Sequence, residues 1–117
     1  MKTHDYLRDV LEYLSAIEQF TVDGREAFMN DRKTQFAVIR AYEVIGEIIK
    51  RLPDKVYDSY PVVDWQKLMN FRDFLAHNYE RVLLNNIWVA IVDLPNLRSG
   101  IELVLRSMPE DDTSLDL

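Results

Sequence analysis

The chain has 117 residues, of which 48% are hydrophobic, with two Trp, six Tyr and five Phe; this suits one domain with a real core and is too short for two. It has no cysteine, which excludes disulfides, thiolate metal sites and thiol nucleophiles and suits a reducing cytoplasm. A formal net charge of −6 argues against a protein that coats nucleic acid by bulk electrostatics, since phosphate binding draws on an excess of Lys and Arg.

The opening Met1-Lys2-Thr3-His4-Asp5 passes directly into a polar-patterned segment and lacks the apolar core of a signal peptide. No apolar run approaches the length that spans a membrane, so a cytoplasmic protein is expected. Tyr6, Leu7, Val10, Leu11, Leu14 and Ile17 recur at three- and four-residue spacing, which predicts a first helix with one buried face. His4 lies near a terminus expected to fray. Thr21-Val22-Asp23-Gly24 breaks the helix, and Arg25 to Met29 have room for a short helical turn. Asn30 or Asp31 can cap a second helix by accepting an orphan N–H. That helix runs through Phe36, Tyr42, Ile45 and Ile49 to Leu52, where Pro53 stops it. Residues 54–61 form a connection with room for one helical turn. Asp64 caps a third helix carrying Trp65, Leu68, Met69, Phe71, Phe74 and Leu75.

A fourth helix is expected from near Asn85 through Trp88, Ile91, Leu97, Ile101 and Leu105. Pro95 lies inside it and should kink it near Ile91, by removing a hydrogen bond and crowding the preceding turn. Residues 1–108 then form the folded unit, and 109–117 an acidic, flexible or partner-seeking tail. There is no alternating strand segment, no repeat and no glycine-rich phosphate loop. The expected fold is all-α: an up-and-down bundle of four main helices.

Chemistry concentrates in Phe71-Arg72-Asp73-Phe74-Leu75-Ala76-His77-Asn78-Tyr79. Imidazole can both take and give a proton near neutral pH, and arginine clamps phosphate through paired N–H bonds at any working pH. Together they are the minimum equipment for cleaving a phosphodiester without a metal. At about 100° per residue, Trp65, Leu68, Arg72, Leu75 and Tyr79 share one stripe of the third helix. A guanidinium in that stripe needs a partner: either Glu43 or Glu47 of the second helix, or a phosphate where the stripe opens onto a cleft or a second subunit. His77 lies about 140° around from Arg72, so the two converge only if the helix unwinds near His77 or a second protomer donates its helix. Asp73 shares a face with His77; it can fix the imidazole tautomer or be an ordinary solvated acid, and spacing alone favours the solvated acid. By spacing alone Tyr79 is a packing aromatic at a helix end. Glu12, Glu43 and Glu47 lack the Glu-x-x-His pairs of a di-iron bundle, and no metal or cofactor is expected.

Arg72-(four residues)-His77-Asn78-Tyr79 resembles the Arg-x4-His-x-Tyr motif of HepT-like toxins, a branch of the HEPN ribonuclease domains. Asp31-Arg32-Lys33-Thr34-Gln35 leading into Ala37-Val38-Ile39-Arg40-Ala41 is similar to that family's second helix, as is Val44-Ile45-Gly46-Glu47 with Lys50-Arg51-Leu52. Asp64-Trp65 before the motif and Asp93-Leu94-Pro95-Asn96-Leu97 after it also fit, so the resemblance runs to about Arg106. It implies a HEPN-like bundle that forms a homodimer with the two motifs facing across a cleft. It implies metal-independent RNA cleavage to a 2′,3′-cyclic phosphate and a free 5′-hydroxyl, with His77 as general acid/base and Arg72 stabilising the charged phosphate. Asp73 and Asn78 would be supporting residues. The resemblance further implies a type VII-like toxin–antitoxin pair, in which a nucleotidyltransferase antitoxin transfers AMP from ATP to Tyr79 and so blocks the phosphate site. A second hypothesis is a non-catalytic helical subunit that binds and regulates a nucleotidyltransferase. The acidic balance leans toward the second; Arg72, His77 and Tyr79 together lean toward the toxin, since a scaffold has no need of them.

Overall fold

The apolar stripes read from the spacing become the buried faces of a helical bundle. A computed structural model describes residues 3–77 and 84–109. In α1 (Thr3–Phe20), Leu7, Val10, Leu14 and Ile17 are fully buried, which is the three–four spacing turned inward. The Thr21 hydroxyl donates to the Ile17 carbonyl at 2.8 Å and satisfies an orphan acceptor at the helix end. Gly24 follows with φ at 95°, the left-handed region that suits glycine, and lets the chain turn into the short α2 (Arg25–Met29). His4 does not fray: it is 3% exposed, and its Nε2 donates to the Met108 carbonyl at 3.2 Å, pinning the start of α1 to the end of the last helix.

Of the two candidate caps for the second long helix, Asp31 is the one used. Its carboxylate accepts from the Lys33 N–H at 3.1 Å and the Thr34 hydroxyl at 2.7 Å. The Thr34 hydrogen bond is the main reason that its carboxyl lies below the usual range. The helix, α3 (Arg32–Lys50), ends two residues before Leu52. Arg51 and Leu52 close it with tighter turns, and the Tyr57 hydroxyl donates to the Ile49 carbonyl at 2.6 Å. The connection beyond Pro53 holds α4 (Asp54–Ser59). Asp64 then caps α5 (Trp65–His77) by accepting from the Lys67 N–H at 3.0 Å.

The expected fourth helix is two helices, α6 (Leu84–Val92) and α7 (Leu94–Ser107). The chain breaks at Asp93 rather than kinking near Ile91. Asp93 accepts the first backbone bonds of α7 from Asn96 and Leu97, and its carboxylate accepts from the Asn96 side chain at 2.9 Å. Pro95 therefore sits in the first turn of a new helix, where its missing N–H has no partner to lose.

Among the described residues the architecture is all-α. α3 is the central helix, packed along α5 on one side and α1 on the other, and α1 in turn meets α7. The core lies between them: Val38, Ile45 and Ile49 of α3, the α1 stripe, Leu75 of α5, and Ile101 and Val104 of α7. Arg98 of α7 closes the far edge by donating to Ser15 and Glu18 of α1. No helix of the described residues is long and apolar enough to cross a membrane.

Candidate active site

The α3–α5 contact puts the motif arginine in place, and a glycine sets how close the two helices come. A Cβ added to Gly46 would lie 2.2 Å from Cβ of Arg72 and 2.6 Å from its Cγ, far inside van der Waals contact. Only a residue without a side chain lets the base of Arg72 rest on α3. The stripe read from the sequence does face α3: Trp65 and Leu75 are buried, Leu68 is half-buried, and the Arg72 side chain is 26% exposed.

From there the guanidinium reaches the surface and enters a chain of alternating charges. Its Nη2 lies 3.6 Å from Oε1 of Glu47, one of the two acids named as possible partners. The same Glu47 oxygen is 3.7 Å from Nη1 of Arg40. On the other side, Nη1 of Arg72 donates to Oδ1 of Asp73 at 3.1 Å, and the Lys50 ammonium donates to that same oxygen at 2.7 Å. Three cations thus meet two carboxylates, leaving the cluster net positive on a chain whose total charge is negative. Lys50, with Arg72 second, holds the Asp73 carboxyl below the usual carboxylate range. Asp73 in turn raises the Arg72 guanidinium, and Glu47 adds to it. Nε of Arg72 is buried and has no hydrogen-bond partner among the described residues. Arg72 is therefore held at its base against α3, with Nη1 and Nη2 turned to the charge cluster.

His77 ends α5 and is exposed. Its Nδ1 lies 2.8 Å from the Asp73 carbonyl. A carbonyl can only accept, so Nδ1 carries the proton, and in the neutral ring Nε2 keeps its lone pair. Asp73 thus meets the two motif residues through different groups: its carboxylate serves Arg72 and Lys50, and its main-chain carbonyl orients His77. α5 stays helical through His77, so within one chain Arg72 and His77 remain about 140° apart around the axis. Asn78 and Tyr79 lie outside the described residues.

Spacing does not gather Gly46, Lys50 and Arg40 into one site, although Arg40 and Lys50 belong to the local positive charge that would have to grip RNA. A lysine at a helix C-terminus favours the dipole whatever else it meets, and nothing in the chain states which residues of α3 and α5 come level. A cavity of about 930 Å³ opens elsewhere, between α5 and the α6–α7 pair, lined by Tyr42, Phe71, Phe74, Val89 and Leu97 among others. Neither Arg72 nor His77 lines it. Burial pushes the Tyr42 hydroxyl up, and Asp93 adds to the effect. Among the described residues no three His, Cys, Asp or Glu side chains gather in a way that could hold a metal ion.

Comparison with known proteins bears on the chain as a whole. A family model described as ribonuclease HepT-like matches residues 10–104. A Methanocaldococcus jannaschii protein named as a candidate RNase is 38% identical over 113 residues, covering 94% of this chain and 93% of the relative. A Thermococcus cleftensis protein named as a probable ribonuclease HepT is 40% identical over 100 residues, covering 84% of this chain and 91% of the relative. A third, a candidate RNase of Caldanaerobacter subterraneus subsp. tengcongensis, is 31% identical over 109 residues, with 91% and 97% covered. No solved structure matches the chain significantly.

Proposed function

The chain belongs to the HepT-like ribonuclease family, and on that premise we propose that it is a cytoplasmic endoribonuclease toxin of a type VII-like toxin–antitoxin pair. The observation that supports this best is the hydrogen bond from Nδ1 of His77 to the Asp73 carbonyl. It presents Nε2 as the base at the last described residue of the motif helix, on the same helix as a partly exposed guanidinium. Nε2 takes the proton of a ribose 2′-hydroxyl, and the 2′-oxygen attacks the adjacent phosphorus. The bond from phosphorus to the 5′-oxygen breaks, and the imidazolium returns a proton to that oxygen. The products are a 2′,3′-cyclic phosphate and a free 5′-hydroxyl. Arg72 stabilises the charge that builds on the phosphate oxygens, and the step needs no metal.

Because Arg72 and His77 diverge on one helix, the reading takes a homodimer in which α5 of a second copy completes each site. Asn78 is a supporting residue next to His77. Tyr79 is the site of control: its hydroxyl oxygen attacks the α-phosphorus of ATP bound by the nucleotidyltransferase antitoxin, pyrophosphate leaves, and AMP stays on the tyrosine. The adduct then fills the phosphate site beside Arg72.

Cleavage of end-labelled RNA by the wild type and by His77→Ala tests the chemistry. The variant is expected to lose roughly 10²–10⁴-fold in rate while keeping its circular dichroism spectrum, since His77 is exposed. Undiminished cleavage would remove His77 from the mechanism. Intact mass after co-expression with the neighbouring nucleotidyltransferase tests control. A gain of about 329 Da per AMP, absent in Tyr79→Phe, is expected; an unchanged mass with active transferase would eliminate Tyr79 as the acceptor.

A further inference from the structure

One face of α3 is exposed at Arg32, Phe36 and Arg40 and leads into the charge cluster. Arg32, Phe36 and Arg40 stand four residues apart along it, each turned about 40° from the last, and Glu43, Glu47 and Lys50 continue the same face to Arg72 and Asp73. Phe36 is 58% exposed, and the Arg32 guanidinium lies 5.3 Å from its ring centroid. Arg40 is also exposed, with its side chain at 66%. Phe36 thus presents much of a large aromatic ring to solvent between two arginines.

We propose that this face is the track that carries the RNA strand at the cleaved bond, with Arg40 sharing the phosphate held by Arg72 and Phe36 stacking a neighbouring base. The proposal rests on the ribonuclease reading of the same site and extends it to three residues of α3. Its geometric basis is Glu47. Arg40 and Arg72 approach the same Glu47 oxygen at 3.7 Å and 3.6 Å, so the two guanidinium groups lie no farther apart than those distances laid end to end. The carboxylate occupies the place where a phosphate oxygen would bridge them. Phosphate entering there displaces Glu47 and gains two guanidinium partners. One step back along the helix, Phe36 offers a π-face that any base can use, and Arg32 adds charge above the ring. Arg32, Arg40, Lys50 and Arg72 outnumber Glu43, Glu47 and Asp73, which favours a polyanion, and an exposed ring between guanidinium groups selects one with unpaired bases.

The test is fluorescence anisotropy of a 2′-O-methyl RNA of about ten nucleotides, within the usual site size for single strands, which binds but cannot be cut. The full chain is used, expressed without its transferase. Phe36→Ala and Arg40→Gln should each weaken binding by roughly ten-fold, and Arg40→Gln should also lower the salt slope by about one. Glu47→Gln should tighten binding, because it removes the competing carboxylate; a purely structural Glu47 would not act in that direction. Arg8→Gln, on exposed α1 surface, serves as the charge control and should leave the affinity unchanged. Melting curves confirm that the exposed substitutions fold. Wild-type affinity in both Phe36→Ala and Arg40→Gln overturns the track. If those variants also cut RNA with unchanged KM, the ribonuclease reading stands without it. Track-dependent binding with no cleavage of ordinary RNA keeps the track and sinks the catalytic reading. No RNA binding by the wild type overturns both, and leaves the face to a protein partner.

Discussion

Asp73 shows how much one residue can do when its backbone and side chain point to different partners. The carboxylate holds Lys50 and Arg72 level across two helices, and the carbonyl fixes the His77 tautomer. Spacing suggested a solvated acid, since a carboxylate on an exposed face usually meets water; the ion pairs arise because α3 brings Lys50 up beside it. The Asp73 carboxyl is held below its unfolded value, so its contribution is present above the unfolded pKa, near 4, and is lost as pH falls through the lower folded value. Asp73→Asn should therefore melt below the wild type at neutral pH, with the gap closing as pH falls below about 4 and shrinking in high salt. A gap that stays constant from neutral to acid pH would assign the effect to packing. The main-chain carbonyl survives the substitution, so His77 keeps its orientation while Arg72 loses its firmest anchor.

At the scale of the element, the decisive contact is Gly46 against Arg72. Gly46→Ala would favour α3 by about 1 kcal/mol on helix propensity alone. The new Cβ, however, would overlap Arg72 Cβ at 2.2 Å, and overpacking of this kind costs about 1–3 kcal/mol. The clash wins because both partners are the stiff bases of side chains on paired helices, with no free end to swing away. Urea denaturation should show a net loss of stability, and RNA cleavage should fall with it as Arg72 is pushed off α3. A variant that is more stable and fully active would mean that the helices part without moving the guanidinium. The same scale explains why the expected kink is a break. A proline inside a long apolar pattern looks like a defect in one helix, but Asp93 and Asn96 supply a start signal that makes it the opening turn of the next.

For the whole molecule, the issue is how Arg72 and His77 act on one phosphate when a continuous α5 holds them about 140° apart. The homodimer proposed above makes a quantitative prediction. Arg72→Ala and His77→Ala proteins should each be inactive, but in a mixed dimer one of the two composite sites is intact. Equal mixing after unfolding and refolding should restore about a quarter of wild-type activity, since half the dimers are mixed and each holds one working site. Activity no greater than the sum of the two variants would place both residues of a site in the same chain. The apolar pattern, the Asp64 cap and the order of the first three long helices are legible in the chain, because they depend on contacts a few residues apart. His4 was misjudged because its partner, Met108, is at the far end of the sequence.

Local sequence is enough for the helical class, the apolar stripes, Asp64 as a cap, Asn30 or Asp31 as another, and Arg72–His77 as the place to look for chemistry. Each follows from local periodicity and local hydrogen bonding. Tertiary structure alone decided that Gly46 receives Arg72, that Lys50 and Glu47 flank it, and that Arg40 joins it through a shared carboxylate oxygen. Those facts depend on the register of α3 against α5. That register is set by which side chains can interlock at a close crossing, a property of two helix surfaces together that neither stretch of sequence contains.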